Sequence, residues 1–297
     1  MSSALPVLAL ALTAIVLTVV VPRALPAATW LRRTPGPTLA LWQVIGLTGV
    51  LAALMTAPAA AIALATPGGT VPTAFGTGSP TWLGLVVAAV MSGGMLVMLL
   101  RSAHLIGSDL RANRRVQRHA VDVIASRADG QLRVVDHPGR SAYCVPGLRS
   151  RVVLTSGTIE ALSEDELQAV LAHEHAHANA RHDLMLEFFT VLHRTVPRRL
   201  RSERALREVH LLIELLADRH AARRVGPQPL GTALAAMAGS GHPEAALGSG
   251  GSTQDLIVRV RALPQHSRAQ PTTLPVLVTT TLIGLAPWAL LLWAFWA

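Results

Sequence analysis

Residues 163–183 read SEDELQAVLAHEHAHANARHD. Ser163 and Glu166 form the S-x-x-E pattern of a capping box, which starts a helix by satisfying two of its free backbone N–H groups. Leu167, Val170, Leu171 and Ala178 continue an apolar stripe at helical spacing. Inside that predicted helix lies His173-Glu174-His175-Ala176-His177, an H-E-x-x-H sequence. At about 3.6 residues per turn, positions i and i+4 stack on one face, so the imidazoles of His173 and His177 can grip one zinc ion. Glu174 is adjacent, angled to hold water at the metal and take its proton. His175 is two residues from each ligand and points elsewhere.

A catalytic zinc site needs a third protein ligand and leaves its fourth position open. The candidate comes from IELLADRHAARR, residues 213–224. Glu214 and Asp218 are spaced i, i+4, and His210 stands one turn earlier, so all three share a helix face. Glu214 is read as the metal ligand, against the simpler reading of a salt bridge to a nearby arginine. Asp218 is read as the acceptor for the free N–H of a ligating histidine, which fixes that ring's tautomer. His210 can steady a reaction intermediate or be an ordinary satisfied histidine; nothing local separates the two. His182 and Asp183 follow the motif and are candidates to support the same site. This donor set favours zinc, one ion per chain, over other divalent metals.

The surroundings of the motif are apolar. Hydrophobic residues make up 51% of the chain and charged residues 14%, against about 25% charged in an ordinary soluble domain. Every Asp, Glu and His lies between Arg101 and Gln270. Residues 1–100 hold only the charges of Arg23, Arg32 and Arg33, and the chain after Gln270 holds none. Four stretches, 5–22, 39–65, 82–100 and 274–297, are apolar enough to span a bilayer, which takes about 20 residues. The expected organisation is a membrane region with three spans over 1–100, a polar domain over 101–273, and a fourth span. The first span lacks the basic leader of a signal peptide and is read as a retained anchor.

The net charge of +9 comes from arginine, since the chain has no lysine. Arg23, Arg32 and Arg33 lie between the first two spans, and Arg101, Arg111, Arg114, Arg115 and Arg118 follow the third, whereas 66–81 carries no charge. Positive-inside logic puts the N-terminus outside the cell membrane and the polar domain in the cytoplasm. The arginine-dense connector from Arg194 to Arg207, interrupted by Pro197, lies either against anionic headgroups or in solvent. The Gly/Ser-rich stretch 239–252 reads as a loop that could gate the cleft. No nucleic-acid motif or aromatic platform accompanies the basic charge, so no nucleic-acid partner is expected. The single Cys144 excludes an intramolecular disulfide and a cysteine-based metal cluster. No span carries the internal acid or histidine of an ion path, which argues against a transporter.

The stretch VVLTSGTIEALSEDELQAVLAHEHAHANARHD, followed by IELLADRHAARR, resembles the membrane zinc metallopeptidases typified by the BlaR and MecR signal transducers. It is similar, more distantly, to the HtpX and CAAX prenyl protease family. The resemblance runs over 142–263, and the layout of four spans with a protease before the last also fits it. It implies a mainly α, multi-pass membrane protein, with four transmembrane helices and a cytoplasmic gluzincin-like α+β metalloprotease domain. By the same resemblance, Ala142, Tyr143, Cys144 and Val145, at the head of AYCVPGLRSRVVLTSG, belong to a strand whose edge pairs with substrate backbone. Arg259, in RVRAL, is implied to lie near the site. BlaR-type sensors continue past their last span into an external penicillin-binding domain. This sequence stops at Ala297, so any signal is expected through the spans, a membrane partner or the substrate.

The expected activity is zinc-dependent hydrolysis of peptide bonds in a protein or peptide substrate, at a lipid bilayer, with Glu174 as the base. Three readings stay open: a regulatory protease cutting a cytosolic repressor, a quality-control protease of membrane proteins, and an inactive zinc-binding receptor or scaffold. The intact Glu174 speaks against the last. Neither a membrane sensor partner nor a homo-oligomer can be read from the residues.

Overall fold

The computed structural model of the chain describes residues 4–65, 80–147, 150–238, 253–263 and 272–296. The uncharged loop 66–79 and the Gly/Ser-rich stretch 239–252 lie outside the described residues. The first apolar stretch forms α1 (Ala4–Ile15), a π-helical turn over Val16–Val20 and the short α2 (Val21–Ala24). Helices α3 (Pro35–Ala65) and α4 (Pro80–Ile124) follow, and α11 (Thr273–Trp296) ends the chain. Four helical segments are long and apolar enough to cross a membrane: Leu5–Ala27, Pro35–Ala61, Leu83–Ile124 and Thr273–Leu290.

Helix α3 is the hub of this bundle and packs against α1, α4 and α11. Small side chains let α1 and α3 approach, with Leu10 and Ala14 set against Ala52 and Ala59. The outward faces stay apolar. Val90 and Val97 of α4 and Leu282 of α11 are 67%, 64% and 64% exposed, a surface suited to lipid rather than water.

The third apolar stretch does not end as a helix at residue 100. Helix α4 runs 45 residues without a break, through its polar part, to the first strand. Arginines of that polar part fasten it to α7 (His182–Thr195). Arg114 Nη1 lies 3.1 Å from Asp183 Oδ2 and from Glu187 Oε2, and Arg111 Nη1 lies 3.0 Å from Glu187 Oε1.

The strands β1 (Ala125–Asp129), β2 (Leu132–Val135), β3 (Ala142–Val145) and β4 (Arg151–Thr155) form one sheet in the order β1-β2-β4-β3. β1 and β2 make an antiparallel hairpin that turns at Gly130, whose φ of 52° favours a residue without Cβ. β2 pairs parallel with β4, and β3 pairs antiparallel with it, placing Cys144 opposite Val152. β3 is therefore an edge strand among the described residues. After β4 come α5 (Ser156–Ala161), α6 (Glu164–Asn179), α7, α8 (Glu203–Val225), α9 (Pro227–Met237) and α10 (Thr253–Ala262).

Gly157 sits where β4 passes into α5, and a Cβ there would overlap the Pro138 carbonyl. Backbone cannot swing aside as a side-chain tip can. Gly157→Ala is expected to destabilise the protein by about 1–3 kcal/mol, seen as a lower thermal midpoint in detergent. An unchanged midpoint would contradict this close approach.

The polar elements are not hung from the bundle by loose linkers. Leu39 and Trp42 of α3 share one buried cluster with Leu186 and Phe189 of α7 and with Val209, Leu212 and Ile213 of α8. Arg32, in the connection between the first two spans, donates from Nε and Nη2 to the Glu208 carboxylate at 2.7 and 2.6 Å. Ser202 Oγ donates to the Pro22 carbonyl at 2.8 Å, and Arg219 Nη2 to the Arg33 carbonyl at 2.7 Å. One core runs from the bundle into the helices that carry the site described next.

Candidate metal centre

Helix α6 begins as its sequence predicts. Ser163 N–H donates to Glu166 Oε2 at 2.8 Å, and Glu166 N–H donates back to Ser163 Oγ at 3.4 Å. The helix buries an alanine-rich face. Ala169 and Ala172 pack against Ala221 and Ala222 of α8, and residues this small bring the two helix axes close. That approach lets a side chain from α8 reach two from α6.

The meeting point is His173, His177 and Glu214. The two ring Nε2 atoms lie 3.1 Å apart, and the Glu214 carboxylate reaches them with Oε2 at 3.4 Å and Oε1 at 3.5 Å. The three donor atoms all fall within 4.8 Å of one another. Both histidines are buried.

Each ring is held from behind. His173 Nδ1 is 3.0 Å from Asp218 Oδ1. His177 Nδ1 is 3.1 Å from His182 Nδ1, with the two rings edge to face. His182 is fully buried, and it reaches this place because Arg181 takes a left-handed turn, φ 50°, between α6 and α7. Arg259, on α10, donates from Nε and Nη2 to the two Asp218 oxygens at 2.7 Å each. Its Nη1 lies 2.9 Å from Glu214 Oε2. One guanidinium thus fixes both acids of α8.

Glu174 is buried at the edge of this cluster and accepts a hydrogen bond from the Cys144 backbone N–H of β3. Burial pushes its carboxyl up to about 7, with Glu214 adding to the rise and the charges of His173 and Arg259 opposing it. For Glu214, burial works upward too, but Arg259, His177 and His173 outweigh it and hold the carboxylate well below its usual range. Asp218 is held at about 2 against its burial by Arg259 and His173. His177 is driven down to about 3 by burial, which keeps its ring neutral. Burial alone would do the same to His173, yet Asp218 and Glu214 lift it to about 10. Two buried carboxylates, of Glu214 and Asp218, thus stand charged beside the histidine rings, with Arg259 as their fixed counter-charge.

These residues fit a divalent metal. Two imidazole nitrogens and a carboxylate converge on one point, and the nitrogen behind each ring faces an acceptor or a second ring. An N₂O donor set with a buried acid beside it suits zinc.

The remaining predicted residues fall as follows. Ala142, Tyr143, Cys144 and Val145 are β3 itself, which packs against α6. His210 is not in the cluster of donors. It is half-buried on α8 and, with Glu214, Arg32, Glu208 and Asp255, lines a polar cleft of about 700 Å³. Burial lowers its pKa, with Glu214 opposing. Reading of the residues alone did not reach the Arg32–Glu208 pair beside this cleft, because its partners stand 176 positions apart.

Residues 108–199 match the model of Peptidase family M48. The match takes in the end of α4, the sheet and the helices α5 to α7, with His173, Glu174 and His177. It covers roughly a third of the chain and stops before Glu214, Asp218 and Arg259. The likeness is thus to a metallopeptidase family, and it implies a hydrolase of peptide bonds. It does not separate the BlaR and MecR type from HtpX or the CAAX prenyl protease. No curated protein and no solved structure gives a match.

Proposed function

We propose that the chain is an integral membrane zinc metalloendopeptidase. The reading rests on the convergence of His173, His177 and Glu214 on one point with buried Glu174 beside them, and the M48 likeness of the motif helix supports it. His173, His177 and Glu214 would hold the metal. When bound, it makes water acidic near neutral pH and polarises a carbonyl.

The other steps belong to the chain's own residues. Glu174 takes the proton of the attacking water and delivers it to the leaving amine. Its raised pKa suits both halves of that exchange. Asp218 orients the His173 ring, and Arg259 keeps Asp218 and Glu214 charged and in place. His182 accepts the Nδ1–H of His177, leaving Nε2 of that ring free to bind. Burial lowers its own pKa to about 4, so it stays a neutral acceptor. The substrate lies along the edge of β3 as an added strand, its scissile bond presented to Glu174. His210, on the cleft wall beside Glu214, is assigned to polar groups of the substrate during the reaction.

The substrate is an extended segment of a protein, and the resemblance to BlaR makes a cytosolic repressor the first to test. The arginines of the connections support an orientation with the polar elements in the cytoplasm and the N-terminus outside. The reading is tested by assaying zinc content and cleavage of an unfolded protein by the chain in vesicles. Zinc without cleavage would favour a binding scaffold, and no zinc would remove the proposal.

His182→Ala is expected to weaken zinc binding about 10- to 100-fold, measured by competition with a chelating dye. His182→Asn keeps an acceptor at the same place and should retain most of the affinity. Equal affinity in all three proteins would strip His182 of its role.

A further inference from the structure

At the end of the bundle that carries its arginines, the structure forms a half-open cavity of about 270 Å³. Its walls are drawn from the spans, with Leu17, Trp42, Gly46 and Leu99, and from the helices beyond them, with Leu192 of α7 and Val209 of α8. The lining is almost wholly apolar, but the loop at its edge is not. Pro197, Leu200, Arg201 and Ser202 line the cavity, and Arg198 and Arg199 stand between them in a 3-10 turn. Arg194, Arg198 and Arg199 are exposed, and none is paired with a carboxylate among the described residues. Arg201 turns inward, donating to the Val196 and Arg194 carbonyls at 2.7 and 2.5 Å and fixing the loop.

We propose that this cavity binds one acyl chain of an anionic phospholipid, with its phosphate on Arg194, Arg198 and Arg199. The inference rests on the reading of the chain as membrane-embedded and goes beyond the peptidase site. The depth is right for such a ligand. Arg23 follows the apolar stretch 5–22, Arg101 stands two residues past Leu99, and both mark the level where hydrocarbon gives way to headgroups. Free phosphate would have no use for the apolar walls, and a neutral lipid would have none for three cations. The cavity also touches the metal site's scaffold, because Val209 lies on the same helix as Glu214.

Trp42 is buried in the cavity wall and serves as the reporter. The full chain is reconstituted in phosphatidylcholine vesicles, and flotation with them tests the embedding separately. Small equal fractions of acyl-brominated phosphatidylglycerol or acyl-brominated phosphatidylcholine are then added, and tryptophan quenching is read. The Trp42 contribution, defined as the difference from Trp42→Phe, is expected to be quenched several-fold more by the anionic lipid. That excess should vanish in Arg194→Gln/Arg198→Gln/Arg199→Gln, whose exposed positions leave the fold intact. Equal quenching by the two lipids overturns the site, as does an excess that survives the arginine substitutions or persists in Trp42→Phe. A chain that fails to float overturns the membrane reading and this site with it.

Discussion

Glu174→Gln is expected to slow peptide cleavage by about 10²- to 10⁴-fold while leaving one zinc bound per chain. Glutamine keeps the shape of the side chain and an oxygen for the Cys144 N–H, but it cannot take a proton from water. The three donors, His173, His177 and Glu214, are untouched. Stability should hold or rise slightly, because the exchange removes an acid that burial already disfavours as a charge, with a pKa of about 7. Single-turnover cleavage of an unfolded protein, with metal content measured on the same sample, checks this. An unchanged rate would move the base to another residue. Loss of metal together with rate would make Glu174 part of the binding set.

Arg259→Met should carry the largest cost in stability, about 3–5 kcal/mol, the usual consequence of breaking a buried, hydrogen-bonded ion pair from one side. Methionine fills much of the same volume but leaves Asp218, which is fully buried, and Glu214 without their guanidinium. Two companion measurements make the cause specific. Arg259→Met with Asp218→Asn should recover part of the loss, since one stranded charge is removed. Saturating zinc should recover part of it too, because it binds the folded state and supplies positive charge at Glu214. Thermal unfolding in detergent reads all three. A loss below about 1 kcal/mol would mean that water screens the pair as it does on a surface.

What the sequence revealed follows from the range of the interactions. The capping box and the two histidines lie in one helix, so a period of about 3.6 residues suffices to align them. The same holds for Glu214 and Asp218 on α8, and the structure brings both pairs together. Arg259 meets Asp218 across 41 positions of chain, and Arg32 meets Glu208 across 176. No local pattern encodes such pairs; Arg259 came from family resemblance alone, and Arg32 was seen only as a basic residue of a connection. His182 was legible as a neighbour of the motif, but not as the partner of His177 Nδ1. That contact depends on the left-handed turn at Arg181, which an arginine does not announce. Hydropathy marks the change at Arg101, yet α4 continues to Ile124. The scale reports where lipid contact can stop, which differs from where backbone hydrogen bonding stops.

Among the described residues, the apolar cluster shared by α3, α7 and α8 and the unbroken α4 join the bundle to α7 and α8 directly. Under the proposed function, the scissile position would therefore stand at one fixed height above the lipid. A protease swung on a flexible arm samples many depths along a neighbour; under the proposed function this one would work as a ruler, favouring bonds in a membrane-anchored substrate by their distance from the surface before any side chain is read.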